Sequence, residues 1–443
     1  MGREFAARVL ADDDKRFGQD KLAIVDCRIE RVQYKPRKNC LICYRLGIRD
    51  QRTGKNHEQK LCARIFEADG ALSRYRKAAG GEVTPPQFGP PLMHIESLDM
   101  VVWAFPNERK LRGLDALTDV PRLREDSLPG IVRAAWGADW TIQSVAPSLA
   151  HYVPEHTCSV RVDLRLANNV TGEVRPWIIF GKTYHEGQGE DAFRLMGELW
   201  NSRVRQEGAL NIPRPLAYLP QHQQLWQEGL HGRTLMECAP DGAEDGLLID
   251  SAAAAIAGLH RTPVDMARHT HMEDLLARLG QRQALLAMAL PELEHRLVHL
   301  TDRLTGHMPG ATNSVTLHGD LHPQNIFIGA AGVSLIDLDS LTQGPCEADL
   351  GSWIAGALYR AVLCGEPLRS VAPSLQRFIS SYRDHAPWQV SDAALDWYTA
   401  AALIHERAFR CLTRLKAGRL DIVDRLVDLA DHVSAGGALW RTA

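Results

Sequence analysis

Three side chains in one short stretch are of types and at spacings that could share a chemical task. In TLHGDLHPQNIFIGAAGVSLIDLDS (316–340), Asp320 is followed five residues later by Asn325, and Asp337 comes after a run broken by Gly329-Ala330-Ala331-Gly332. Residues Asn325 to Ile328 and Val333 to Ile336 read as a strand pair joined by that small-residue turn. Folding the hairpin brings Asn325 and Asp337 to adjacent strand ends. An amide oxygen beside a carboxylate gives hard oxygen ligands, suited to Mg²⁺ that is also held by substrate phosphates. Asp320, across a short loop, could then accept a proton from an attacking hydroxyl. This Asp-x-x-x-x-Asn spacing ahead of a strand-end Asp is the part of the phosphoryl-transfer template that positions nucleophile and metal. His318, Asp320 and His322 also form an H-x-D-x-H run, which would favour zinc and hydrolysis. That reading leaves the Asn325 and Asp337 pairing unexplained, and His322 is better read as loop support.

The elements that must position these groups belong to a chain of 443 residues, room for two to four domains. Hydrophobic residues at 45% and charged residues at 24% are those of a folded globular protein. With 51 Lys and Arg against 54 Asp and Glu, the net charge of −3 offers no broad attraction for nucleic acid or an anionic membrane. Apolar runs fall short of the roughly 18 residues of a membrane span, and MGREFAARVLADDDKRFGQD lacks a signal-peptide core, so a cytoplasmic location is expected. The nine cysteines are scattered and odd in number, which points to reduced thiols; Cys40-x-x-Cys43 lies in an alternating, strand-like CLICYRL rather than at a zinc-finger spacing.

The chain repeats itself. Tyr34 to Phe66 aligns without gaps on Tyr152 to Tyr184, with Tyr34, Pro36, Cys40, Leu46, Thr53 and Gly54 matching Tyr152, Pro154, Cys158, Leu164, Thr171 and Gly172. Each copy reads as strand, Thr-Gly turn and strand, then a helix and a Pro-rich element, TPPQFGPPL (84–92) or NIPRPLAYL (211–219), the later parts aligning with a gap of about ten residues. Arg64 falls on Lys182. Beyond about residue 233 the pattern turns helical, most clearly at 251–260, 271–300 and 402–418.

HGDLHPQN followed by LIDLDS resembles the catalytic core of the aminoglycoside phosphotransferase and choline kinase-like family, a branch of the protein-kinase-like fold. The resemblance implies that Asp320 is the catalytic base, Asn325 and Asp337 the Mg²⁺ ligands, and His318 an organiser of the loop. Asp349, in EADLGSW, resembles the acid that braces this loop, and Asp339 sits where relatives carry a further acid. Extended over most of residues 135–443, the likeness makes Lys182, in IIFGKTY, the lysine on the nucleotide phosphates. Its carboxylate partner would be Glu198, with Glu190 the weaker candidate. Backbone groups of about Gln227 to Gly229 would meet the adenine of ATP, or the base of GTP. His260 reads as structural. Two features depart from the family pattern: the turn Tyr152-Val153-Pro154-Glu155-His156-Thr157 has no glycine, and the first copy has no acid at the position equivalent to Glu198, which falls on Gly70.

The expected fold is therefore α+β and bilobal, with 1–130 a degenerate duplicate of the small lobe, 131–232 the nucleotide-binding small lobe and 233–443 the helical lobe. The expected activity is ATP- and Mg²⁺-dependent transfer to a small-molecule hydroxyl. A nucleotide-binding pseudokinase is the alternative, and a protein kinase proper is disfavoured because D-L-D replaces D-F-G. From Leu350 to Ala443, 11 Lys and Arg against 9 Asp and Glu argue against a polycationic aminoglycoside and for a sugar or amino alcohol. Arg407, Arg410 and Arg414 fall on one helical face, read as solvated or paired with the acids of 421–431, or else contacting an acidic acceptor. The basic loop Tyr34-Lys35-Pro36-Arg37-Lys38 reads as a solvated cluster or an anion site.

Overall fold

Period-two alternation over 22–65 produces an antiparallel meander of β1 (Leu22–Lys35), β2 (Asn39–Asp50) and β3 (Asn56–Ile65). After α1 (Gly70–Ala79), β4 (Leu92–Ile95) and β5 (Met100–Ala104) complete a sheet in the order β1-β2-β3-β5-β4. Along β5 the two faces separate cleanly. Met100, Val102 and Ala104 join Tyr44, Leu46 and Leu61 in one core, while Val101 and Trp103 pack with Ala71 of α1. The computed structural model describes residues 22–36, 38–67, 70–111, 113–185, 188–238, 246–310, 313–438 and 440; Arg37 of the basic loop and the opening segment lie outside the described residues.

A connection containing the short helix Leu114–Thr118 and α2 (Leu128–Trp136) leads to a second sheet. It comprises β6 (Trp140–Val153), β7 (Thr157–Asn168), β8 (Val174–Tyr184), β9 (Pro215–Leu219) and β10 (Gln224–Glu228), with α3 (Gln188–Asn201) between β8 and β9. Its order, β6-β7-β8-β10-β9, is that of the first sheet. The repetition extends to register: Leu22 opposite Asp50 and Tyr34 opposite Cys40 recur as Trp140 opposite Asn168 and Tyr152 opposite Cys158. Both Thr-Gly turns place glycine in the left-handed region, Gly54 at φ 70° and Gly172 at φ 72°. Both are closed by the side chain ahead of the turn, Asp50 accepting from the Arg52 and Thr53 amides and Asn168 from those of Val170 and Thr171. The gap between copies is smaller than expected. α1 and α3 start at matching positions, but α1 has 10 residues against 14, and β5 and β10 stand 124 apart where the first strands stand 118 apart, a gap of six.

The first sheet and most of the second lie in one compact unit, which runs to Gly189 and takes in Tyr218–Trp226 and Thr413–Lys416; the remaining described residues, with the start of β9 and the end of β10, form the other. The second unit contains β11 (Gly232–Thr234), α4 (Gly246–His260), α5 (Met272–Ala289), α6 (Glu294–Gly306), β12 (Ser314–Leu317), β13 (Ile326–Gly329), β14 (Gly332–Leu335) and β15 (Thr342–Pro345). It continues with α7 (Cys346–Cys364), α8 (Ala372–His385), α9 (Asp392–Ala402) and α10 (Val423–Ser434). The periodic stretch at 271–300 is two helices, because Pro291 cannot donate an amide hydrogen bond and opens a separate 3₁₀ turn, Pro291–Leu293. The expected α+β class is what forms. The nine cysteines are free, Cys43 packing with Leu41 and Cys62. Among the described residues no helix is long and apolar enough to cross a membrane.

In the second sheet the fully buried Trp226 lies against Gly181 of β8, where a Cβ would stand 2.7 Å from both Trp226 Cη2 and Leu117 Cδ2. A methyl group there overpacks the core beside Lys182. Gly181→Ala is expected to lower stability by about 1–3 kcal/mol, read as a drop in the urea unfolding midpoint.

Candidate active site

The loop after β12 is shaped by one buried acid. His318 is fully buried, and the chain turns at Gly319 with φ 76°, where a Cβ would stand 2.1 Å from the Ser340 carbonyl oxygen. Only glycine fits that approach. Asp349, in the first turn of α7, accepts from the His318 amide at 2.6 Å and the Gly319 amide at 3.0 Å. Its Oδ2 lies 3.1 Å from His260 Nε2, and His260 Nδ1 lies 2.7 Å from the Tyr382 hydroxyl. Burial pushes the Asp349 carboxyl up, but the hydrogen bond and charge of His260, with His318, bring it below its ordinary value. His260 is thus a core residue that orients Asp349.

The hairpin forms as expected, with Ile326 opposite Leu335. The Asn325 carbonyl accepts from the Ile336 amide at 3.0 Å, so Asn325 sits beside the end of β14, one residue from Asp337. Asn325 is buried and donates Nδ2 to the Asp320 carbonyl at 2.9 Å, closing the loop and leaving Oδ1 as its accepting atom. Asp337 adopts φ 62°, ψ 55°, a left-handed conformation uncommon for a non-glycine residue. The Ile336 carbonyl accepts from His318 Nε2 at 3.0 Å, tying the loop to the hairpin. Among the described residues no group of three or more His, Cys, Asp and Glu side chains is placed to hold a metal ion, so the H-x-D-x-H run does not form a zinc cluster. The Asp320 side chain is 51% exposed, with His322 Nε2 3.8 Å from its Oδ2. Burial lowers the His322 pKa, with the Asp320 charge acting against it.

Of the other expected site residues, Lys182 lies on β8 opposite Ser159, its Nζ 5.3 Å from the Tyr184 ring centroid. Glu198, on α3, accepts from Arg194 at 2.6 Å and from the Asp265 amide at 3.0 Å. Glu190 is exposed in the first turn of α3. Gln227 is on β10 and Gly229 follows it, where the chain passes from the two-sheet unit into the helical one. Asp339 lies in the turn after Asp337, its carbonyl accepting from Arg268 at 3.1 Å.

Sequence reasoning missed a cavity of about 900 Å³ in the helical unit, with Gly319 and Asp349 on its wall and Arg268, Asp274, Arg278 and Glu406 among its lining. Its far side comes from a π-helical segment, Leu403–Ala408, that interrupts the helix between α9 and Phe409–Thr413. This segment corrects the reading of Arg407, Arg410 and Arg414 as one face. The wider turn shifts the helical phase, and the helix stops at Thr413, short of Arg414. Arg407 is not solvated: it is 6% exposed, pairs with Glu406 at 3.3 Å and donates to the Ser352 carbonyl at 2.8 Å, while Ser352 Oγ donates to Glu406 at 2.8 Å. The acids of α10 are instead taken by α6, Arg296 pairing with Asp424 and Asp428, and Arg303 with Asp431.

His405, on the cavity wall, has a pKa brought down to about 4, first by burial and then by Arg282, Arg278 and Arg407, with Glu406 opposing. Arg282 donates to the His405 carbonyl and lies 3.3 Å from Nδ1. The unfolded chain therefore takes up this proton first, and stability falls as pH drops from about 6.5 towards about 4. In His405→Gln that part of the acid loss, about 3 kcal/mol at most, is expected to vanish from melting curves recorded across this range.

Residues 179–389 match the model of the phosphotransferase enzyme family, APH. No curated protein matches the sequence. Among solved structures, choline kinase from Cryptosporidium parvum Iowa II is 13% identical, with 66% of this chain and 89% of that chain covered and a TM-score of 0.44. Choline kinase LicA from Streptococcus pneumoniae is 13% identical, covering 66% and 95% with a TM-score of 0.42. Spectinomycin phosphotransferase APH(9)-Ia, in complex with ADP and spectinomycin, is 13% identical, covering 69% and 97% with a TM-score of 0.46. Similarity at this level adds no weight of its own. The family match spans Lys182, the Asp320 loop, the hairpin and Asp349, and over residues 179–389 this chain is therefore similar to the phosphotransferase enzyme family.

Proposed function

We propose that the protein transfers the γ-phosphate of ATP, or of GTP, to a hydroxyl group of a small molecule, with Mg²⁺ as cofactor. The observation that carries this reading is the loop itself. Asp349 holds two consecutive amides, Asn325 holds the Asp320 carbonyl and stands beside the hairpin end that carries Asp337, and the Asp320 carboxylate is left exposed. Asp320 orients the acceptor hydroxyl and takes its proton. Asn325 Oδ1 and Asp337 are hard oxygen donors that fit Mg²⁺, which when bound neutralises phosphate charge. Lys182 offers an ammonium to the α and β phosphates, with Glu198 as the carboxylate that orients it, and the backbone at Gln227 and Gly229 meets the nucleotide base. Most of the rate comes from position and charge.

The cavity beside Gly319 is the proposed acceptor site, and its volume suits a small ligand. Its lining mixes Arg268 and Arg278 with Asp274 and Glu406, and Glu406 is already neutralised by Arg407. Such a wall favours a polyhydroxylated or amino alcohol acceptor over a polycation. The alternative, a nucleotide-binding pseudokinase, draws support from the glycine-free β6–β7 turn.

Phosphate transfer from γ-labelled ATP and GTP to pools of sugars, amino alcohols, aminoglycosides and nucleosides separates the two. Wild type is expected to label a component of the sugar or amino alcohol pools. Asp320→Asn should lose roughly 10²–10⁴-fold in turnover at an unchanged unfolding midpoint; wild-type turnover in that variant would overturn the assignment. Mg·ATP binding without transfer to any pool would favour the pseudokinase.

A further inference from the structure

The turn between β6 and β7 is held by the first sheet. Glu155, at its tip, is 7% exposed and has a left-handed φ of 64°. A carboxylate buried in that conformation needs partners, and it has two. Arg109, from the segment after β5, grips it bidentately, Nε to Oε1 at 2.9 Å and Nη2 to Oε2 at 3.1 Å. Arg64 of β3, itself 5% exposed, pairs with Oε2. Burial pushes the Glu155 carboxyl up, and Arg109 and Arg64 outweigh it, holding it below its ordinary value. A second contact runs alongside: the Tyr152 hydroxyl donates to Glu108 at 2.6 Å, and the Phe105 ring meets that of Tyr152 edge-on at 5.3 Å.

Arg64 occupies in the first sheet the place that Lys182 occupies in the second: it faces Leu41 across β2 as Lys182 faces Ser159 across β7. The exchange changes the chemistry. A lysine presents a mobile point charge suited to phosphate, whereas a guanidinium presents a planar fork suited to a carboxylate. The gripped turn also leads to Lys182. Thr157 Oγ1 donates to the Thr183 carbonyl at 3.1 Å, and the His185 amide donates to the His156 carbonyl at 3.3 Å, so the two residues that follow Glu155 are bonded to the C-terminal end of β8 and the residue after it, close in sequence to that lysine.

We propose that the first sheet is a clamp for the nucleotide loop: Arg64 and Arg109 hold Glu155 and thereby preset the β6–β7 turn and Lys182 for the nucleotide phosphates. The inference rests on the nucleotide reading given above. A turn without glycine has little freedom to wrap a phosphate, and an external support compensates by removing the ordering that binding would otherwise require. Arg64, Arg109 and Glu155 are positioning residues, acting through the turn rather than on the nucleotide.

The test is Mg·ATP affinity by calorimetry on the full chain, with urea midpoints measured in parallel. Arg64→Gln and Glu155→Gln are each expected to weaken binding about tenfold, the double variant no further than either single one because both remove the same contact. Arg109→Gln, which changes a more exposed side chain, should show a smaller loss in the same direction and settles the matter if Arg64→Gln does not fold. Amide exchange over 153–157 should quicken in all of them. Unchanged affinity in Glu155→Gln and Arg109→Gln, with wild type binding and Lys182→Met impaired, overturns the clamp and leaves the nucleotide reading standing. Absence of Mg·ATP binding by wild type overturns both.

Discussion

The segment that carries Asp320 belongs to neither helix nor sheet, so its shape depends on the carboxylate of Asp349. That group is buried, and a buried charge is tolerated only when hydrogen bonds replace the water it has lost. The His318 and Gly319 amides and the His260 ring supply them. Removing one partner of such a set commonly costs about 3–5 kcal/mol, a large share of the roughly 5–15 kcal/mol that holds a domain together. Loop geometry is thereby coupled to the folding of α4, α7 and α8, which contribute His260, Asp349 and Tyr382.

The two sheets show how one design can take different tasks. Strand order, pairing register and the side-chain closure of the Thr-Gly turns recur between them, because these follow from alternation and from local hydrogen bonds. The copies diverge where chemistry enters. Position 64 carries a guanidinium bound to a carboxylate within the protein, and position 182 an ammonium proposed to meet phosphate. The first copy's shorter helix is consistent with a sheet that no longer positions an acid for its own basic residue.

In the helical unit, buried and exposed ion pairs play unequal parts. Arg296 and Arg303 meet the acids of α10 at the surface, where a pair contributes about 0–1 kcal/mol and fixes little. Ser352, Glu406 and Arg407 form a largely buried network, where each lost partner leaves an unsatisfied polar group. The π-helical segment makes this network possible by turning Glu406 and His405 towards the cavity, out of phase with a regular helix.

Much of this protein was legible in its residue order. The repeat, the hairpin at 325–336, the helical second half and the grouping of Asp320, Asn325 and Asp337 rest on periodicity, turn residues and short spacings, which act over a few neighbours along the chain. The break at Pro291 was legible too, and the periodic run around it masked the signal. What depended on contacts between distant segments was not. Arg407 looked like part of a solvated stripe because helical phase was counted as regular; a π turn and the distant Ser352 decided otherwise. The turn that contains Glu155 stood out only by its lack of glycine, and the partners of that carboxylate, Arg64 and Arg109, lie 91 and 46 residues away. Spacing along the chain determines which residues a strand or a turn presents together, whereas the partner of a buried charge is chosen by whichever segment the tertiary fold packs on top of it.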